Sequence, residues 1–460
     1  MTSIVATPIE GSGQPSKVSR GSQSHSIQST VPVLVLADSA LVLHHGTLGI
    51  IRSLGRIGIP VYTVTKDRFT PAAASKYLTG AFIWQPRGLN AQEFVEGMNV
   101  IYRALSRTTV LVPTDDCSAI LIAEHASALE GRYLFPKQHH ALPRLLANKR
   151  TLYLLCKQMQ IPFPRTCFPV SAADLDEFVE STGFPVIVKA GEPWLAPPGV
   201  RSTTIARNRQ QLHSLYKSVA RQHATSLIVQ EYIGPEHGED WFYHGYINTS
   251  ARVRIGFTGR KLRSYPPSTG PTTFGRAIVN DTLHCQAEHL LGSLEYCGIM
   301  DLDYRFDKRD GQYKLVDFNP RIGAQFRLFE DIGGVDLVRA LYFDLIGKPV
   351  RSFGPITGRT FIADFHDIAA RLCERGNSAR RDAQEPRSSA IKAELAWFCT
   401  DDFVPFLLMC IRLLLRLLSR LTGKRSLLAA HPYIPKQVKL FRYSFSRNRR
   451  TDKEFLSYNF

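Results

Sequence analysis

The sequence predicts an α/β protein with a Rossmann-like N-terminal domain, a second α+β domain and a basic, mainly helical C-terminal extension. Three observations predict it. Short apolar runs alternate with helix-length segments near the start, as in a parallel sheet. A polar hairpin near residues 300–318 breaks that rhythm. Positive charge then gathers toward the C-terminus: the chain of 460 residues carries 57 Lys+Arg against 40 Asp+Glu, a net +17, and residues 351–460 hold 20 basic and 10 acidic side chains.

Residues 1–30 are rich in Ser, Gly, Thr and Gln, lack the apolar core of a signal peptide, and read as a disordered lead-in. The first ordered domain is expected over 31–142. Val31–Leu36 has the continuous apolar character of a buried parallel strand. A loop with His44-His45-Gly46 follows, then a helix over Leu48–Ile57 ending at Gly58, then a strand over Ile59–Val64. The strand Thr109–Pro113 runs into Thr114-Asp115-Asp116 and an apolar helix. No G-x-G-x-x-G follows the first strand, so a dinucleotide is not indicated. His44 and His45 stand where ligands favour the carboxyl ends of strands, but adjacent histidines more often serve their own loop.

The second domain is expected over 143–350. Leu145–Met159 reads as a helix carrying Asn148-Lys149-Arg150. Gly183-Phe184-Pro185 turns into the strand Val186–Lys189, and Leu227–Ile233 is a further strand. A helix over about 283–296 ends at Cys297-Gly298. The hairpin then runs Met300–Phe306 and Tyr313–Phe318, with Asp310-Gly311 at its turn. The eight cysteines are scattered without a C-x-x-C pair, against a zinc site or a disulfide scaffold, and fit a reducing cytoplasm.

The hairpin carries the most chemistry. Period-two alternation puts Asp301 and Asp303 on one face of the first arm, and Asp317 and Asn319 on one face of the second, with Arg321 just beyond. Two carboxylates and a carboxamide form a hard-oxygen set suited to Mg²⁺, and the arginine would steady anionic cargo. The same residues also describe an exposed hairpin with a polar face. Lys149 and Lys189 lie 40 residues apart, and Lys189 ends an apolar strand, where an unpaired buried charge is costly and a cleft is the natural exit. Either lysine alone is usually a solvated surface residue. Gln230-Glu231-Tyr232-Ile233 offers peptide groups beside an apolar patch where adenine can stack, though a lone tetrapeptide is more often a strand end.

The order of Lys149, Lys189, Glu231-Tyr232-Ile233, Asp303 and Asp317-x-Asn319-x-Arg321 resembles the ATP-grasp superfamily, over roughly residues 31–350. That superfamily includes biotin carboxylase, carbamoyl phosphate synthetase and the D-alanine and D-aspartate ligases. The segment Gly259–Pro267, with Gly270 beyond it, resembles the predicted carboxylate–amine ligases within it. The resemblance implies a two-lobed ATP-grasp domain and an ATP- and Mg²⁺-dependent ligase (Mn²⁺ being an alternative metal) that joins a small carboxylate to an amine through an acyl phosphate. It implies that Lys149 and Lys189 contact the α- and β-phosphates, and that the peptide groups of Gln230, Glu231, Tyr232 and Ile233 bind adenine. Glu239 or Asp240 takes the ribose; Asp303, Asp317 and Asn319 hold the metal. Arg321, Lys261 and Arg263 act on the reacting groups. A homo-oligomer is compatible with it. The loop Ala190–Gly199 departs from the family in carrying more proline than glycine, and the metal positions carry Asp where many relatives carry Glu. Those departures keep a second reading open, a catalytically weak or inactive ATP-binding protein tethered to a membrane.

In the extension, a helix is expected over about 403–421, with Arg412, Arg416 and Arg420 spaced i, i+4, i+8 on an otherwise apolar segment. The arginines and an early proline argue against a membrane span. Two readings stand: a helix in the interface of an anionic membrane at the cytoplasmic face, or a helix packed on protein with its arginines at the rim. The basic residues lack the aromatic platform of a specific nucleic-acid site.

Overall fold

The structure, a computed structural model, describes residues 31–37, 45–67, 69–84, 89–192, 203–220, 227–248, 253–267, 270–374, 393–422, 437–446 and 449–459; for 219–220, 253–254 and 420–459 it describes the backbone alone. The expected lead-in over 1–30, His44 and the run 193–202 after Lys189 lie outside the described residues.

The N-terminal domain is a parallel sheet flanked by helices. β1 (Val33–Leu36), α1 (Gly46–Gly55), β2 (Val61–Thr65), β3 (Gly80–Ile83), α2 (Ala91–Leu105), β4 (Thr109–Pro113), α3 (Asp116–Glu124), α4 (Ala126–Leu129) and β5 (Tyr133–Leu134) follow in order. β1 lies between β2 and β4, parallel to both, and its four residues are fully buried, which is why that run is wholly apolar. Asn90 and Asp115 cap α2 and α3 by accepting from Glu93 N and Ser118 N. The Asp115 cap leaves Asp116 at the first position of α3, at the carboxyl end of the sheet.

The helix expected over 145–159 is two helices, α5 (Leu142–Ala147) and α6 (Lys149–Gln158). Asn148 divides them: its backbone is extended and its side chain accepts from Arg150 N and Thr151 N, so it caps α6 and sets Lys149 at the first helical position. A small antiparallel sheet of order β6-β9-β7-β8 comes next, from β6 (Thr166–Cys167), α7 (Ala172–Thr182), β7 (Val186–Ala190), β8 (Thr203–Ala206), α8 (Arg209–Ala220) and β9 (Leu227–Glu231). Val186, Val188 and Val229 pack toward α7, leaving Ile187, Lys189 and Gln230 on the other face.

The larger sheet has the order β14-β13-β10-β11-β12-β15-β16. It is built from β10 (Gly238–Ile247), β11 (Val253–Ser264), β12 (Thr272–Ala277), β13 (Gly298–Asp307), β14 (Gln312–Asn319), β15 (Thr360–Ile362) and β16 (Glu394–Leu395), with α9 (Asp281–Ser293), α10 (Leu337–Leu345) and α11 (Asp364–Glu374) against it. In the β13–β14 hairpin Gly311 takes a left-handed φ of 71° at the turn, a conformation open to glycine. Asp301 pairs with Asn319 and Asp303 with Asp317, but Tyr304 pairs with Leu315, so Val316 is an extra residue. That bulge lets both Leu315 and Phe318 enter the core while Asp317 and Asn319 share the opposite face.

The C-terminal extension joins both large sheets. α12 (Val404–Thr422) precedes β17 (Gln437–Ser446) and β18 (Arg449–Asn459), and β17 pairs antiparallel with β3. Asp402 seals this join: it accepts from Arg52 Nε at 3.0 Å, Ser75 Oγ at 2.7 Å and Lys76 N at 3.0 Å. α12 packs on protein through Pro405, Met409 and Arg412. Arg412 is buried and donates to Phe69 O at 2.9 Å, so this arginine lies beneath the helix and not at its rim. No helix among the described residues is long and apolar enough to cross a membrane.

Candidate functional site

Three elements bring charge into one cleft: the N-terminus of α6, the open face of β7–β9, and the cleft face of β13–β14. Lys149 Nζ reaches across from α6 to Asp317 Oδ1 at 2.6 Å. Lys189 Nζ donates to Gln230 Oε1 at 2.8 Å and to Tyr153 OH at 3.3 Å. Tyr153 OH in turn donates to Val316 O at 2.7 Å, so the bulge carbonyl is held from α6. The Lys149 backbone N–H is bound by Gly191 O at 2.9 Å, which fastens α6 to the end of the β7 segment.

Beside these, Arg321 gathers oxygen partners from two domains. Its guanidinium donates to Asp301 Oδ2 at 3.1 Å and Asn319 Oδ1 at 2.9 Å, and its Nε lies 3.4 Å from Asp116 Oδ1 of the N-terminal domain. Asp301 Oδ1 lies 2.9 Å from Nε2 of the fully buried His244 on β10, and Gln325 contacts the same His244 nitrogen at 3.3 Å. Gly323 is needed here: a Cβ would fall 2.3 Å from His244 Cε1 and 2.7 Å from Asp301 Oδ2.

The electrostatics follow from burial and neighbours. Burial drives the Lys189 ammonium down to about 7, with Lys149 adding repulsion and Asp317 and Asp303 only partly restoring it. Burial pushes Asp303 up to about 6 against the attraction of Lys261, and Asp301 and Asp317 push it further. Burial also acts on Asp317, but Lys149 and Lys189 outweigh it and hold that carboxyl below its ordinary range. At Asp301, His244 and Arg321 outweigh burial and hold the group at about 2. Asp116 is raised, mainly by burial. A cleft holding four carboxylates against these cations is prepared to exchange partners with a charged ligand.

The other expected residues divide. Lys261 Nζ donates to Gly270 O at 3.3 Å and acts electrostatically on Asp303. Arg263 does not join this group: buried, it is clamped to Asp367 of α11 at 2.7 Å, because an unpaired buried guanidinium is costly. Glu231 lies at the end of β9, where its carboxylate accepts from Arg165 N at 2.9 Å and Arg309 at 3.1 Å. The half-exposed Tyr232 and the buried Ile233 follow, and the Ile233 carbonyl is held by Arg305 at 2.8 Å. Glu239 pairs with Arg260 at 3.1 Å and Lys308 at 3.2 Å, and Asp240 with Arg305 at 2.7 Å.

Sequence reasoning passed over Asp116, Tyr153, His244 and Gln325. Asp116 had a usable signal, an acid at the carboxyl end of a parallel strand. His244 had none, since it sits inside the apolar run Phe242–Ile247.

Among the described residues no three His, Cys, Asp or Glu side chains form a ready metal cluster. The donors nevertheless fit a hard divalent cation that takes most of its ligands from phosphate and water. Asp303, Asp317 and Asn319 offer only oxygens on one sheet face, and the Asp303 carboxyl has no hydrogen-bonding side chain among the described residues to balance its charge.

No protein-family profile matches the chain. A D-aspartate ligase of Enterococcus faecium (strain Aus0004) is 24% identical over 262 residues, covering 54% of this chain and 61% of the relative. The chain thus spans about 61% of the length of that curated relative. Among solved structures, an N5-carboxyaminoimidazole synthetase of Staphylococcus aureus complexed with ADP superposes with a TM-score of 0.54 at 10% identity, over 72% of this chain and 81% of that one. The biotin carboxylase domain of a Hydrogenobacter thermophilus 2-oxoglutarate carboxylase, a dimer in complex with MgADP and bicarbonate, superposes with a TM-score of 0.50 at 15% identity, over 69% and 70%.

Proposed function

We propose that this chain, which has the ATP-grasp fold, is an ATP- and Mg²⁺-dependent carboxylate–amine ligase acting on a small carboxylate such as an amino acid. One observation carries the reading: Lys149, Lys189, Asp303, Asp317, Asn319 and Arg321, far apart in sequence, gather in one charged cluster. The likeness to a D-aspartate ligase supports an amino acid as the carboxylate, and the ADP and MgADP of the two structural neighbours support the nucleotide and the metal.

A carboxylate is a poor electrophile. In the proposed reaction one of its oxygens attacks the γ-phosphorus, ADP leaves, and an acyl phosphate forms. An amine nitrogen then attacks the acyl carbon, inorganic phosphate leaves, and the nitrogen sheds a proton as the amide forms. Such chemistry rests on positioning and charge neutralisation, with no protein nucleophile.

Lys149 and Lys189 bind the α- and β-phosphates, Lys149 exchanging Asp317 for phosphate oxygen. Asp303, Asp317 and Asn319 would hold Mg²⁺, which would supply neutralisation of the phosphate charge. Arg321 turns to the acyl phosphate oxygens. Adenine binds along Gln230–Ile233 through peptide groups other than the Ile233 carbonyl, which Arg305 occupies. Glu239 or Asp240 takes the ribose hydroxyls. Lys261 faces the γ-phosphate, and Arg263 braces β11 against α11 from behind.

The test is release of ADP and phosphate by purified protein with Mg·ATP and panels of amino acids and amines. Turnover should require both substrates and fall at least about 100-fold in Asp317→Asn, the loss expected when a metal carboxylate is removed. Tight ATP binding without turnover on any panel, or an Asp317→Asn variant as active as the parent, would reject the ligase reading.

A further inference from the structure

We propose that the outer face of α12 is a docking surface for an anionic phospholipid bilayer. Val404, Leu407, Ile411, Leu414 and Leu418 recur at helical spacing along the side that points away from the protein. Each is between 44% and 56% exposed. Among the described side chains Arg412 faces inward, buried against Phe69 O, whereas Arg416 stays half-exposed. A helix that turns its aliphatic stripe outward exposes it to water for its whole length unless something covers it.

The surface extends beyond one helix. Ile368 and Leu372, one turn apart on α11, are 59% and 61% exposed, and α11 meets α12 through stacked Phe365 and Phe406. Phe403, next to Val404 at the start of the stripe, is an exposed aromatic of the kind that serves the apolar face of interfacial helices.

Charge selects the occupant. α12 has no acidic residue between Val404 and Thr422. Lys66 lies close enough to Arg412 and Arg416 to feel both, and Asp67 acts on Lys66 and Arg412 as an opposing charge. A second copy docking by the same face would bring the same cations with it, and its Asp67 already acts on its own Lys66 and Arg412. Anionic lipid offers acyl chains to the stripe and phosphates to Lys66 and Arg416. The helix lies flat in this arrangement, since it is too cationic to span.

Co-sedimentation of the full-length protein with vesicles of phosphatidylcholine, with and without phosphatidylglycerol, tests this. Binding is expected to phosphatidylglycerol vesicles, weakened by salt, and about tenfold or more weaker in Ile411→Glu/Leu414→Glu and in Arg416→Glu, with melting temperature and ATP turnover unchanged. Vesicle binding is independent of the ligase reading, so either can fail alone. No sedimentation, or binding indifferent to these substitutions, overturns the proposal. So does a solution dimer that Ile411→Glu/Leu414→Glu dissociates, which assigns the face to a second copy. A large drop in melting temperature for that variant without vesicles also overturns it, since the chain itself then covers the stripe.

Discussion

Lys149 Nζ lies 2.6 Å from Asp317 Oδ1, a bond between the first residue of α6 and the last turns of the β13–β14 hairpin. The lysine is nearly buried, at 6% of its side chain, while Asp317 keeps 29% open to the cleft. An ammonium so placed closes the site electrostatically until a more anionic partner arrives. Lys149→Met should therefore raise the KM for ATP about tenfold or more, the effect of losing one charge-assisted hydrogen bond, while the fold survives. Initial rates at varied ATP check this; an unchanged KM would mean that Lys149 serves only as a strut for Asp317.

Lys189 makes a pH prediction. Its folded value near 7 lies below the ordinary lysine value of 10.5, so between those limits the native state binds fewer protons than the unfolded state. Stability contributed by this site is lowest below pH 7 and recovers as pH rises toward 10.5. Lys189→Met should flatten that rise and raise the melting temperature of the ligand-free protein at pH 7. Nucleotide phosphate favours the charged form, so ATP binding at pH 8 should take up close to one proton in the parent and none through this group in the variant. Calorimetry in buffers of different ionisation enthalpy reads that uptake.

Asp301 is the hinge of a buried chain, His244–Asp301–Arg321, and Arg321 continues it to Asp116 of the other domain. Removing the carboxylate leaves a part-buried guanidinium and a buried imidazole short of a partner. Asp301→Ala should cost about 3–5 kcal/mol of unfolding free energy. Urea melts measure it, and a cost below about 1 kcal/mol would show that Asn319 and Asp116 suffice to hold Arg321.

Much of this was legible in the sequence because local rules wrote it. Continuous apolar runs specified buried parallel strands, and Gly311 marked the hairpin turn. Alternation placed Asp301 with Asp303, and Asp317 with Asn319, before any contact was known. The order of Lys149, Lys189 and the acidic hairpin resembles that of the ATP-grasp superfamily, and it is that resemblance which implies a nucleotide site there.

Three features were decided only in three dimensions. The extra residue Val316 reverses the alternation so that Leu315 and Phe318 both reach the core while Asp317 and Asn319 keep to the cleft, and a bulge has no letter of its own. The partners of Arg321 and Arg263 come from residues such as Asp116 and Asp367, over 100 positions away, and only packing sets which carboxylate a buried cation finds. The arginine spacing of α12 was visible, but not its rotation. Met409 and Arg412 face the protein because that side meets the cluster around Phe365 and the Phe69 carbonyl, and the aliphatic side is left outward. A sequence states what each residue can pair with; the tertiary structure chooses among partners, because burial makes an unsatisfied choice too costly to keep.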